Sequence, residues 1–186
     1  MNREKNERFR ETDQRIREYV LNELQHKRLR EITVSAVCAA LGINRSSFYL
    51  HYPDVYAVAD AICEHELSGL MADFGAVYNE DGAFDPIAYL LVVLRHMQAH
   101  MDFYRAYLNE IGLEQMRRGS EWMLHELVLP HARRKGMPEW QAALRHDFTR
   151  VGTLAAMRQW LEGGCAQSPE EIADAIRSLL SDTALT

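Results

Sequence analysis

The twenty residues 33–52, TVSAVCAALGINRSSFYLHY, leave this chain few ways to fold. Val34, Val37, Cys38 and Leu41 recur at i, i+3, i+4 and i+7, the spacing that lines one face of an α-helix over about 34–40. Thr33 stands immediately before them, where a side-chain oxygen caps free N–H groups, and Gly42 follows, where helices commonly turn left-handed and stop. Asn44 offers a second cap, and Phe48 and Tyr52, four apart, share one side of another short helix. A turn this short makes the two helices cross steeply. Val37, Cys38, Leu41, Ile43 and Phe48 supply the apolar contact between them, which is the helix-turn-helix arrangement.

The remaining sequence also reads as helix. Ile16, Tyr19, Val20 and Leu24 predict an amphipathic helix over 12–27. Pro53 marks the end of the third helix or the start of another, and Val55, Val58, Ala59, Ile62, Leu67, Leu70 and Phe74 predict a fourth that runs to about Tyr78 and links two domains. The turn NEDG at 79–82 precedes Asp85-Pro86, a cap with proline at the first helical position. Ile87 to Leu94 is nearly all apolar, as in a helix surrounded by others, and too short to span a membrane. Asp102 caps a short helix through Asn109, ended by Gly112. In the next, over 114–135, Pro130 is expected to kink or end the helix near His131. Pro138 restarts one that reaches Glu162 and closes at Gly163-Gly164. Ser168, Pro169 and Glu171 form a capping box ahead of Ile172, Ala175, Ile176, Leu179 and Leu180. The expectation is an all-α chain of about nine helices, with a three-helix helix-turn-helix domain over 1–52 and a helical bundle over 53–186.

Composition narrows the function classes. Cys38, Cys63 and Cys165 are odd in number, far apart and form no C-x-x-C, so neither a disulfide framework nor a zinc knuckle is expected. The charged N-terminus does not resemble a signal peptide and no apolar run reaches membrane-spanning length, so the expected location is a reducing cytoplasm, with no membrane partner. No glycine-rich phosphate loop, nucleophile elbow or H-E-x-x-H motif occurs; neither catalysis nor a cofactor is expected. The net charge of −6 is unevenly spread: residues 1–52 hold ten Lys/Arg against seven Asp/Glu, and the rest hold eleven against twenty. The basic end carries the helix-turn-helix. Its second helix presents Arg45, a bidentate guanine ligand by chemistry, beside hydroxyls at Ser46, Ser47 and Tyr49 that suit phosphate oxygens or base edges.

The runs Ile32-Thr33-Val34, Ala39-Ala40-Leu41-Gly42-Ile43-Asn44-Arg45 and Phe48-Tyr49-x-His51-Tyr52 together resemble the signature of the TetR (tetracycline repressor) family. The resemblance implies that Thr33 and Tyr49 contact DNA phosphates, that Arg45, Ser46, Ser47 and Leu50 face the groove, and that His51 neighbours a phosphate. Asn44, the cap, completes the expected contact set. The sequence departs from the family at Val55, where a lysine commonly adds a phosphate contact. The stretch Phe148-x3-Gly152-x7-Trp160-Leu161-x-Gly163, then Ser168-Pro169-Glu170-Glu171, is similar to the C-terminal half of several such regulators. The resemblance implies a homodimer in which the last two helices of each copy pair, using Leu154, Met157, Leu161, Ile172, Ile176 and Leu179. The periodicity of these residues alone fits burial within one chain equally well.

Helices five to seven are implied to enclose a pocket for a small organic effector. Polar groups on apolar surfaces there are Tyr89, Arg95, His96, His100, Tyr104, Tyr107, Trp122 and His125, with Met97 and Met123 as adaptable lining. His96 and His100 share a face, but spacing places no further ligand to complete a metal site. The function implied is a sequence-specific regulator of transcription, a repressor that leaves a palindromic operator when its effector binds. The alternative is a TetR-like adaptor or coactivator that has lost DNA binding and acts through protein contacts.

Overall fold

A computed structural model describes residues 2–72 and 85–182, and all regular structure among them is helical. Nine helical segments follow one another, with a short 3-10 turn, Leu29–Glu31, after the first. They are α1 (Asn2–Glu23), α2 (Val34–Leu41), α3 (Arg45–Tyr49), α4 (Val55–Ala72) and α5 (Pro86–Ala99). Next come α6, which is Met101–Ala106 continued by a π-helical turn at Tyr107–Ile111, and α7, which is Leu113–Met123, a π turn at Leu124–Val128 and Leu129–Arg134. The last two are α8 (Glu139–Glu162) and α9 (Pro169–Asp182). Phe74, Tyr78 and the NEDG turn lie outside the described residues.

Two compact units result, one from residues up to Met71 together with Asp102–Ile111, the other from the rest. Val55, Val58, Ala59, Ile62 and Cys63 of α4 are all buried, which draws that helix into the first unit, and α6 joins it there. The side-chain amide of Gln25 donates to the carbonyl of Asp102 at 2.9 Å and so ties the end of α1 to the start of α6. Ile16, Val20, Val37, Phe48 and Val58 are fully enclosed in this unit, as are Phe103, Tyr104 and Tyr107 to within a few per cent.

The helix boundaries follow from local chemistry. Asp85 accepts from the N–H groups of Ile87 and Ala88 at 2.8 and 3.1 Å, with Pro86 at the first position, where its missing N–H costs nothing. Ser168 and Glu171 close their capping box at 3.2 and 2.7 Å. α1 begins ten residues before the expected 12, and α6 starts at Met101, so Asp102 lies in its first turn and is not its cap. Pro130 does not end α7. The π turn immediately upstream takes up the register that proline's lost donor would break, and the helix continues to Arg134.

In the second unit α5 buries Leu90, Leu94 and Met97 and packs against α8 and α9. Trp160 anchors the end of α8, its indole N–H donating to the carbonyl of Gln167 at 3.0 Å. Leu129, Ala132 and Ala142 form a smaller cluster with Leu124, Val128 and Met137 where α7 meets α8. All three cysteines are buried and none is in a disulfide. No helix among the described residues is long and apolar enough to cross a membrane.

Candidate nucleic-acid interface

The helix-turn-helix forms as the sequence indicates. The Thr33 hydroxyl accepts from the N–H of Ala36 at 3.2 Å, and the Asn44 carboxamide accepts from the N–H of Ser47 at 2.7 Å. Between them Gly42 sits at φ 65° and ψ 30°, the left-handed conformation that only glycine adopts without strain. The N–H of Ile43 returns to the carbonyl of Cys38, and the Arg15 guanidinium of α1 donates to the carbonyl of Leu41 at 2.9 Å, which fastens the turn to the first helix.

This scaffold turns one side of α3 inward and leaves the other bare. Phe48 and Tyr52 are buried, whereas Asn44, Arg45 and Ser46 are exposed, Tyr49 is 49% exposed and Leu50 is 75% exposed. Ser47 is half-buried. The arrangement brings a guanidinium, several hydroxyls and an apolar tip to one exposed surface, beside the exposed Thr33 at the start of α2. Such a set offers donors to phosphates and base edges, with an aliphatic group suited to a thymine methyl.

Two residues outside the expected contact set help to make this surface. Ser35, exposed in the first turn of α2, accepts from Arg45 Nη1 at 3.2 Å, while Tyr49 Oη accepts from Arg45 Nη2 at 3.1 Å. Ser35 is ten positions from Arg45, and only the crossing of α2 over α3 makes them neighbours. Phe9 extends α1 upstream of its expected start and stacks on the His51 ring, with centroids 3.9 Å apart. Its place seven before Ile16 continues the apolar spacing of α1, a signal that was present in the sequence.

The Phe9 stack covers the ring of His51. Its side chain is only 4% exposed, and Nδ1 is buried without a hydrogen-bond partner, 3.9 Å from Asp13 Oδ1. Burial pushes its pKa below the ordinary histidine value, partly opposed by the Asp13 charge. The His51 ring is thus largely enclosed, stacked beneath Phe9 beside the exposed face of α3. Asp13 also accepts from the Tyr52 hydroxyl at 2.5 Å and from Arg17. Burial and that hydrogen bond hold the Tyr52 phenol well above its usual range. Val55 is buried at the start of α4, in keeping with an aliphatic residue where the family commonly has lysine.

The eight effector candidates do not form one cluster within either unit. Tyr104 and Tyr107 fall in the first, packed with Phe103 at ring separations of 5.0 to 5.9 Å. In the second unit, burial raises the pKa of Tyr89, Arg95 pairs with Glu170 at 2.7 Å, and the His96 and His100 rings stack at 4.3 Å. Trp122 is 58% exposed and His125 is also at the surface, so neither lines an interior. Met97 is fully buried and Met123 half-buried.

The expected dimer residues separate similarly. Met157, Leu161 and Ile176 are buried in their own chain, Leu154 and Ile172 are half-buried, and Leu179 is exposed. The first three are thus enclosed within the single chain. A different row is open on α8: Trp140, Leu144, Phe148 and Val151 are 55 to 70% exposed and recur every three or four residues, opposite the face carrying Ala142 and Trp160.

A TetR-type family model described as "Transcriptional regulator C-terminal region" matches residues 85–182. A search of curated proteins finds no match. Among solved structures, a TetR transcriptional regulator from Streptococcus agalactiae is similar over 97% of this chain and 99% of its own, with 19% identity and a TM-score of 0.68. The dihydroxyacetone kinase operon activator DhaS is similar over 92% of this chain and 95% of its own, with 16% identity and a TM-score of 0.50. These two are alike in fold. The family match covers more than half of the 186 residues, and the chain belongs to the TetR family of transcriptional regulators.

Proposed function

We propose that the chain is a homodimeric, sequence-specific DNA-binding regulator, most simply a repressor that a small organic effector releases from a palindromic operator. The observation that carries this reading is the exposed face of α2 and α3, where Thr33, Arg45, Ser46, Tyr49 and Leu50 point outward over a capped and buried scaffold. Thr33 and Tyr49 hold phosphates, Arg45 reads a guanine, and Ser46 and Leu50 complete the groove contacts. Two copies present two such helices to successive major grooves, about 34 to 36 Å apart or a multiple.

The exposed row Trp140, Leu144, Phe148 and Val151, with Leu179, supports the second copy as partner. Contiguous apolar surface of this kind mostly marks an association site, and family membership makes a second copy the natural occupant. The half-buried Ile87, Leu91, Val92 and Val93 of α5 support an apolar or mixed-polarity effector in the second unit.

Selection of bound fragments from a genomic library, followed by titration with salt, tests the reading. Affinity that falls steeply with salt is expected, because phosphate contacts release counterions. Compounds that release the best fragment then identify the effector class. The buried Val55 favours the adaptor reading to the extent that one phosphate contact is missing. Absence of salt-dependent binding to any fragment would establish the adaptor and overturn the regulator that reads DNA itself.

A further inference from the structure

The guanidinium of Arg45 is held from two helices at once. Nη1 donates to the Ser35 hydroxyl on α2 at 3.2 Å and Nη2 to the Tyr49 hydroxyl one turn along α3 at 3.1 Å, with the guanidinium carbon 5.9 Å from the Tyr49 ring centroid. Arginine has five N–H donors in one plane, so three remain after both hydroxyls are engaged, enough for the paired acceptors of a guanine edge. Both hydroxyls accept in these bonds, and their own protons stay free for phosphate oxygens. A long side chain otherwise samples many rotamers, and its planar fork loses least on binding when already oriented.

From this geometry we infer that Ser35 is a positioning residue for base reading: its hydroxyl, with that of Tyr49, sets the direction in which Arg45 addresses the major groove. The inference rests on the DNA-reading function proposed above. It ties specificity to the α2–α3 crossing, since a change in that angle moves Ser35 relative to Arg45.

The test compares wild type, Ser35→Ala, Ser35→Thr, Arg45→Ala and the Ser35→Ala/Arg45→Ala pair on a selected operator and on its single-base-pair variants. Ser35→Ala is expected to reduce discrimination about 3- to 10-fold at the base pair that Arg45→Ala flattens, and nowhere else. The salt slope should stay at the wild-type value. Ser35→Thr, which keeps the hydroxyl, should restore discrimination, and Ser35→Ala should add nothing once Arg45 is gone. A uniform loss on all variants, with discrimination at the Arg45 base pair kept, would make Ser35 a phosphate ligand and overturn the inference, as would unchanged affinity and discrimination. Failure of the wild type to bind any fragment would instead sink the DNA-reading function. Side-chain nitrogen relaxation at Arg45 in the free protein is a separate check: greater Nε mobility in Ser35→Ala is expected, and equal mobility in both proteins would overturn the positioning role.

Discussion

Arg45 and Tyr49 touch each other on α3, yet losing them should have different consequences. If Arg45 reads a base as proposed, Arg45→Ala should lower discrimination at one base pair per half-site by about 1 to 3 kcal/mol. Thr33→Ala removes a proposed phosphate donor and should weaken binding to all sequences by a similar factor with the salt slope unchanged, since a neutral hydroxyl displaces no counterion. Tyr49→Phe should add to such a loss a partial fall in discrimination at the Arg45 base pair, because its hydroxyl also holds Arg45. Quantitative binding to a set of operator variants separates the two patterns; full discrimination in Arg45→Ala would contradict its assignment to base reading. His51 gives a prediction of another kind. Because burial lowers its folded-state pKa, the neutral ring is the favoured one, and its contribution to stability is complete above the unfolded value near 6.5. Stability should fall as pH drops below that value towards the folded pKa, because the unfolded chain then binds the extra proton. His51→Phe preserves a stack on Phe9 and should remove this part of the acid sensitivity; identical melting profiles between pH 7 and 5 in both proteins would contradict it. The chemistry of His51 was legible in the motif, but its burial was not. That depended on Phe9, more than forty positions away, reaching back from α1.

Short-range signals specified most of the elements. The caps at Thr33, Asn44, Asp85 and Ser168 act within three residues of themselves, and each is present with the partner that its position implies. Gly42 is similar: its φ of 65° is set by the turn, and nothing lies within 4 Å of an added Cβ. Gly42→Ala should therefore destabilise by about 1 to 2 kcal/mol through backbone strain alone, seen as a lower melting temperature without a change in the buried core. Ser168→Ala should cost about 1 kcal/mol through loss of the box that starts α9. Unaltered melting in either variant would contradict the local account. What local signals left out was the response of a long helix to a defect. Pro130 removes a backbone donor, and the sequence alone does not say whether the helix stops or inserts a π turn. Packing of Leu129, Ala132 and Ala142 on both sides of the α7–α8 contact accompanies the second outcome.

At the scale of the whole molecule, α8 is apolar on two opposite faces, and periodicity cannot rank them. Met157, Trp160 and Leu161 fill the chain's own core, whereas Trp140, Leu144, Phe148 and Val151 stay exposed, the face that the proposed dimer uses. Leu144→Glu or Phe148→Glu should therefore yield folded monomers by light scattering, whereas Leu161→Glu or Ile176→Glu should lower the melting temperature of the subunit itself, because each buries an unpaired charge. Intact dimers after both surface substitutions would move the interface elsewhere. The unequal charge of the two ends, net +3 before residue 53 and −9 after it, fits a molecule that meets DNA at one end only. A hydroxyl-radical footprint on the best selected fragment tests the central claim most directly. Two protected segments on an inverted repeat, with centres about 34 to 36 Å or a multiple apart, are expected from a dimer with paired recognition helices. A single protected segment, or protection without an inverted repeat, would contradict it.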